Sequence, residues 1–283
     1  MNRIQIHLAV QILVWATIAA AAVLGAQESV PASSPAELSR EQKEQFLLHA
    51  EIGKMRGNKI GVTLSRRATL TEGTVTHDAH IQTVDEQKKK FRTARGTEFQ
   101  FRDYWGFNVA GYRLDKLLDL NIVPVTVERR VRRDRAAVGW WVDGVMMSGV
   151  EFKDRGFKAP ASKRLQDQKA NAWAFQQLIY NTDPNLGNVV IDEDWKGWIF
   201  DFTRAFRRWK KFDRPESLKR IGRGFLDRLR QLEAADVERE LGPYLRPVEL
   251  QALLARRDLM VQHFERLIAE KGELAVLIEG EGF

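Results

Sequence analysis

From residue 59 to residue 84 apolar and polar positions alternate through IGVTL, RRATL and DAHIQTV, and Glu72-Gly73 places a turn between the last two. A period of two predicts a small antiparallel sheet. The period then lengthens. NVAGYRLDKLLDL (108–120) brings Val109, Tyr112, Leu117 and Leu120 within reach of one face, which predicts a helix. IVPVTVERRV (122–131) and VGWWVDGVMM (138–147) return to β-branched and aromatic runs. After Gly149 the pattern is helical: LQDQKANAWAFQQLIY (165–180), then 217–232 with Ser217 as its cap, then 248–271 with Pro247 at its start. The order predicts an α+β, two-lobed fold. Residues 51–148 form an antiparallel β-rich lobe with one helix, residues 149–283 a mainly helical lobe, and a cleft lies between them.

The chain before this pattern reads as address. Arg3 precedes 18 uncharged residues, LAVQILVWATIAAAAVLG (8–25), which fit a secretory signal cleaved after Gly25 or a retained membrane anchor. Both place the remainder outside the cytoplasm. Residues 26–50 then read as a Ser-, Pro- and Ala-rich tether and a leading helix, with the folded part starting near Glu41.

Composition narrows the chemistry. The absence of cysteine among 283 residues removes disulfides, thiolate metal sites and thiol nucleophiles together. Of five histidines only His77 and His80 are close in sequence, and three residues apart on a strand they face opposite ways. A net charge of +7 favours anionic partners without choosing one. The basic runs RRVRRDR (129–135) and RAFRRWKK (204–211) read as solvated faces, and nucleic acid is not the expected partner.

The segment NTDPNLGNVVIDEDWKGWIFDFTRAF (181–206) carries the strongest chemical signal. Asp183 and Asn188 share a loop with Pro184 and Gly187; the runs VVID and GWIF form a hairpin that returns the chain to Asp201. Three polar side chains then converge. Phosphoryl transfer asks for such a set, with Asp183 taking the proton of an attacking hydroxyl and Asn188 and Asp201 holding a hard divalent cation through oxygen. The same residues also suit plain structure, as turn formers or, for Asp201, as the cap of a helix starting at Phe202.

D-x4-N, a hairpin and D-F-T resemble the catalytic and metal-binding segments of the protein-kinase-like superfamily, in the variant form of phosphoinositide 3-/4-kinase-like domains. WGFNVAGYRLDKLLDLNIVPVTVERRV also looks like bacterial members, with a helix followed by a Val-Pro strand. The similarity spans about residues 57–207. It implies the two-lobed fold, ATP with Mg2+ or Mn2+, Asp183 as catalytic base, and Asn188 and Asp201 as metal ligands. It also implies nucleotide contacts from Gly61 in the phosphate-covering loop, and from Gln82 and Asn108 at the places of the phosphate-binding lysine and its helix glutamate. Both of those charges are absent. An amide–amide hydrogen bond between Gln82 and Asn108 would keep the geometry, and Lys88, Lys89, Lys90 or an arginine of the loop at 57–67 would supply the cation. One of Trp140 and Trp141 is expected near the adenine position. RAFRRWKK follows D-F-T where related enzymes select substrate, so an acidic or hydroxyl-bearing substrate is expected. Three readings stand: an exported phosphotransferase, a pseudokinase that binds nucleotide or a partner without turnover, and a basic envelope-side anion binder.

Overall fold

The computed structural model describes residues 38–57, 65–93, 96–156 and 162–279. The apolar run at 8–25, the IGVTL strand and Gly61 lie outside them. Ser39 opens helix α1 (Arg40–His49) with a reciprocal cap: its hydroxyl accepts from the Gln42 amide, and the Gln42 side chain accepts from the Ser39 amide. Phe46 and Leu47 of this helix are buried.

Strands β1 (Glu51–Gly57), β2 (Ser65–Glu72) and β3 (Val75–Gln82) form an antiparallel meander. Alternation sends Ala68 and Leu70 of β2, and His77, Ala79 and Ile81 of β3, into the interior. Gly73 supplies the positive φ of 57° that the turn between them needs. A hairpin of β4 (Asp85–Thr93) and β5 (Gly96–Tyr104) follows, and no part of it was read from the sequence. Its first strand, DEQKKKFRT, shows no apolar alternation because nearly all of it faces water. Helix α2 (Gly106–Leu118) covers the sheet, which β6 (Thr126–Val131) and β7 (Asp134–Trp140) complete in the order β1-β2-β3-β7-β6.

Asp115 near the end of α2 is fully buried; its Oδ1 accepts from the Ile122 amide at 2.9 Å, and Oδ2 lies 3.6 Å from the Arg40 guanidinium. Burial pushes its carboxyl up to about 7. The folded state therefore holds a proton that the unfolded chain has released, and stability falls as pH rises from the ordinary carboxylate range towards 7. Asp115→Asn keeps the acceptor and removes the ionisation. Urea unfolding is expected to show the variant ~1–3 kcal/mol more stable than wild type at pH 8 and level with it at pH 4. Parallel pH profiles for the two proteins would refute the assignment.

Beyond β8 (Val145–Ser148) the chain is mainly helical: α3 (Gly149–Asp154), α4 (Ser162–Leu178), α5 (Arg223–Gln231), α6 (Ala234–Leu241), α7 (Pro247–Lys271) and the short α8 (Glu273–Val276). β9 (Val189–Asp192) pairs with both β8 and β10 (Gly197–Ile199). The helix expected over 217–232 is shorter than its pattern. Ser217 does not cap it, because its hydroxyl donates to Arg214 O and accepts from the Trp173 indole. Residues Ile221–Gly222 instead form β11, parallel to β12 (Leu277–Ile278), and the Gly222 amide is held by Asn171 Oδ1. Phe107, Phe175, Phe202, Phe206 and Phe264 join sheet side and helix side in one buried cluster.

Candidate active site

Asp183 sits on the loop that leaves α4. The Asn181 side chain bonds Gln176 Oε1 at 2.8 Å and accepts from the Asp183 amide at 3.0 Å, fixing the turn that presents the aspartate. Asn185 caps a short 3-10 turn (Leu186–Asn188) that delivers Asn188 to the start of β9. β9 and β10 pair Val189 with Ile199, and the Phe200 amide donates to Asn188 O at 3.1 Å. The hairpin thus returns the chain beside Asn188, one residue before Asp201, as its turn and strand pattern predicts. No helix starts at Phe202, so Asp201 caps nothing.

Asp201 has a left-handed backbone, φ 59°. An aspartate tolerates this conformation better than most residues, yet at a cost, and such costs concentrate where geometry serves a site. Burial pushes its carboxyl above the ordinary range; Thr203 pulls it back through its hydroxyl and amide, and the charges of Asp103 and Asp183 push it up again. The Thr203 hydroxyl donates to Asp201 Oδ1 at 3.1 Å. Asp201 therefore feels both other carboxylates. Among the described residues no group of three or more His, Asp or Glu side chains is close enough to hold a metal alone. A cation that keeps water and phosphate oxygens needs only one or two carboxylates from protein; of the expected pair, Asp201 is a carboxylate and Asn188 an amide.

Helix α2 is clamped directly onto this segment. Asn108, in its first turn, accepts from the Phe202 amide at 2.6 Å. One turn on, a Cβ at Gly111 would lie 2.5 Å from the Phe202 ring, so only glycine admits the contact. β5 grips the same stretch from its other side, with the Tyr104 amide donating to Thr203 O at 2.9 Å. The Gln82 side chain is wholly buried, and its Oε1 accepts from its neighbours Thr83 and Val84 at 3.1 and 3.3 Å. The expected amide–amide bond between Gln82 and Asn108 is therefore not formed; each oxygen serves a backbone amide instead. That leaves Gln82 Nε2 as a buried donor without a partner among the described residues.

Of the expected substitute cations, Lys88 lies over the Phe91 and Phe101 rings that Arg204 also faces. Lys88, Lys89 and Lys90 are exposed on β4, where Lys88 pairs with Glu86 at 2.8 Å. The cation at the site is Arg204, 3.1 Å from Asp103 and 3.7 Å from Asp183. The sequence signal for it was its position directly after D-F-T, read as part of a substrate-facing run. Asp103 gave no signal, because it belongs to the hairpin that the alternation missed. The run itself turns inward: Arg207 is buried, donating to Arg102 O at 2.7 Å and lying 2.9 Å from Glu98, and Arg208 reaches Gln100 at 2.6 Å. Lys210 and Lys211 remain exposed. Trp140 is buried and stacks on His77 at 3.7 Å, whereas Trp141 lies under the Arg67 guanidinium at 4.1 Å.

An antiparallel β part with one clamping helix, a helical part, and an Asp–Asn loop joined by a hairpin to Asp-Phe-Thr define a kinase-like fold. Comparison with solved structures agrees. Hydra Fam20 solved with a sugar superposes with a TM-score of 0.65 at 16% identity, over 85% of this chain and 92% of that one. The Golgi casein kinase with Mn and ADP bound gives 0.60 at 12% identity, over 84% and 78%. The Helicobacter pylori proinflammatory kinase CtkA gives 0.53 at 12%, over 80% and 98%. These likenesses carry the kinase-like fold and not the phosphoinositide-kinase branch expected from the loop. No family profile matches the sequence, and no curated protein does.

Proposed function

We propose that this chain is a phosphotransferase that uses ATP with Mg2+ or Mn2+ to phosphorylate a hydroxyl of an acidic substrate, exported or tethered to a membrane by residues 8–25. One observation carries the reading. The hairpin returns Asp201 to Asn188 and into the electrostatic reach of Asp183, while Asn108 holds the backbone between Asp201 and Thr203. Bound metal and nucleotide would supply the transferable phosphoryl group and the positive charge that offsets it. Asp183 accepts the proton of the attacking hydroxyl; its bond from the Asn185 side chain at 3.2 Å and its neighbour Arg204 orient it. Asn188 and Asp201 offer the oxygens that a hard cation prefers. Gln82 Nε2 is buried without a partner among the described residues, and a phosphate oxygen that reached it would offset the ~1–3 kcal/mol cost of an unmet buried donor.

A second reading is favoured by the neutral side chains of Gln82 and Asn108 and by the ion pair between Arg204 and Asp183: a pseudokinase that binds nucleotide without turnover. One experiment separates them. Purified protein is mixed with Mn2+ and ATP, and both thermal stabilisation and phosphate release or transfer are recorded for wild type and Asp183→Ala. The phosphotransferase reading expects stabilisation of both proteins and turnover lowered at least ~100-fold in the variant. Stabilisation with no turnover in wild type selects the pseudokinase, and neither response in wild type rejects both.

A further inference from the structure

We propose that the free edge of β6 docks an extended acidic segment of a partner protein, which adds to the five-stranded sheet as a sixth strand beside α2. β6 ends the sheet order, with β7 on one side only. Its hydrogen-bond phase follows from two observations. The Trp140 amide donates to Val125 O at 2.7 Å, and Thr126 lies opposite Gly139 and Val127 opposite Val138. Bonded and non-bonded pairs alternate in an antiparallel ladder, so Val127, Arg129 and Val131 turn their backbone groups to β7. Thr126, Glu128 and Arg130 turn theirs outward. None of these outward groups has a hydrogen-bond partner among the described residues.

A groove runs along this edge. It has a volume of about 610 Å³ along residues 126–130 and is lined also by Tyr112 and Leu117 of α2, Leu48 of α1 and Tyr244. Its size falls in the range of real ligand sites, and its lining mixes aromatic and aliphatic groups with charge. The charge is lopsided. Each carboxylate there is matched: Glu44 by Lys116 at 2.8 Å, Glu128 by Arg135 at 2.6 Å, Glu240 by Arg113 at 3.6 Å. Arg129 turns to α1, donating to Leu47 O and Ala50 O within the electrostatic reach of Glu72, whereas exposed Arg130 is in no ion pair among the described residues and meets only Arg133 O at 3.5 Å. The unmatched guanidinium of Arg130, exposed on this strand, selects negative charge. The unpaired backbone of the same strand selects an extended chain. Natural proteins protect long free edges, and one left open inside a charged groove is a template for strand addition. The proposal does not depend on phosphotransfer.

The test uses the full chain and a fluorescein-labelled octapeptide of alternating Glu and Val, followed by anisotropy at low salt. Binding is expected to weaken at least tenfold when Lys replaces Glu in the peptide, and at least tenfold when alternate peptide nitrogens are methylated on the edge-facing side. Arg130→Glu, an exposed change that leaves the melting temperature in place, is expected to weaken it at least tenfold. No binding of the acidic peptide, or equal binding of the methylated one, overturns the proposal. Displacement by millimolar inorganic phosphate overturns it in favour of a small-anion site. A concentration-dependent dimer that Arg130→Glu disrupts overturns it in favour of self-association.

Discussion

Asp201→Asn is expected to make the metal-free protein more stable while removing its response to metal and nucleotide. Burial pushes the ionisation of this carboxylate up, and the nearby charges of Asp103 and Asp183 add to it. Its folded value is raised, so the ionised form opposes folding: stability is lost as pH climbs from the ordinary carboxylate range through the folded value. Asparagine keeps the acceptor for the Thr203 hydroxyl and tolerates the φ of 59° as well as aspartate does, but carries no charge. A gain of ~1 kcal/mol at pH 7.5 is expected, read as a melting temperature raised by a few degrees. A divalent ion reverses the sign for wild type alone, because it binds the carboxylate that was a burden. At a hundredfold excess over its dissociation constant a ligand adds ~2.7 kcal/mol, and the variant is expected to lose most of that gain together with turnover. A metal-free variant less stable than wild type, with its response to Mn2+ and nucleotide intact, would show that Asp201 is an ordinary structural aspartate.

The legible parts of this chain are those where one residue type answers one local demand. The period change at Asn108 marked α2, whose buried face includes Val109, Tyr112 and Leu118. The D-x4-N spacing with two short runs after it foretold the hairpin that brings Phe200 to Asn188. What escaped was made by contacts across the chain. β4 and β5 meet locally through Phe91 stacked on Phe101, but Arg102 is held by Glu249 at 2.9 Å, 147 residues away. That distant partner is not visible in a local window. The same holds for Arg204. In sequence it belongs to a basic run, yet Asp103 draws it inward once the hairpin is in place.

The largest loss of stability is expected at Arg256, a guanidinium in α7 with no exposed surface and no carboxylate partner among the described residues. Nε donates to Leu178 O at 2.6 Å, and Nη1 donates to Arg207 O at 2.8 Å and Trp209 O at 2.5 Å. Burial pushes it down to about 9, which leaves it charged at neutral pH. The planar fork thus ties the end of α4 to the segment that follows Asp-Phe-Thr, in a place where water does not reach. Methionine fills much of the volume and offers no donor, so three carbonyls lose their partner at ~1–3 kcal/mol each. Removal of a buried charge offsets part of this, and ~3–5 kcal/mol remains as the expected cost in urea unfolding. Arg256→Lys separates charge from geometry. A single ammonium keeps the charge but cannot span the three acceptors, and it is expected to recover less than half of the loss. The damage has a local signature as well. Amide exchange at residues 205–212 is expected to rise in Arg256→Lys at temperatures where α2 and the five-stranded sheet stay protected, because the lost bonds are those that fix that segment. Uniform loss of protection across the fold would assign Arg256 to the core alone, with no separate hold on the stretch after Asp201.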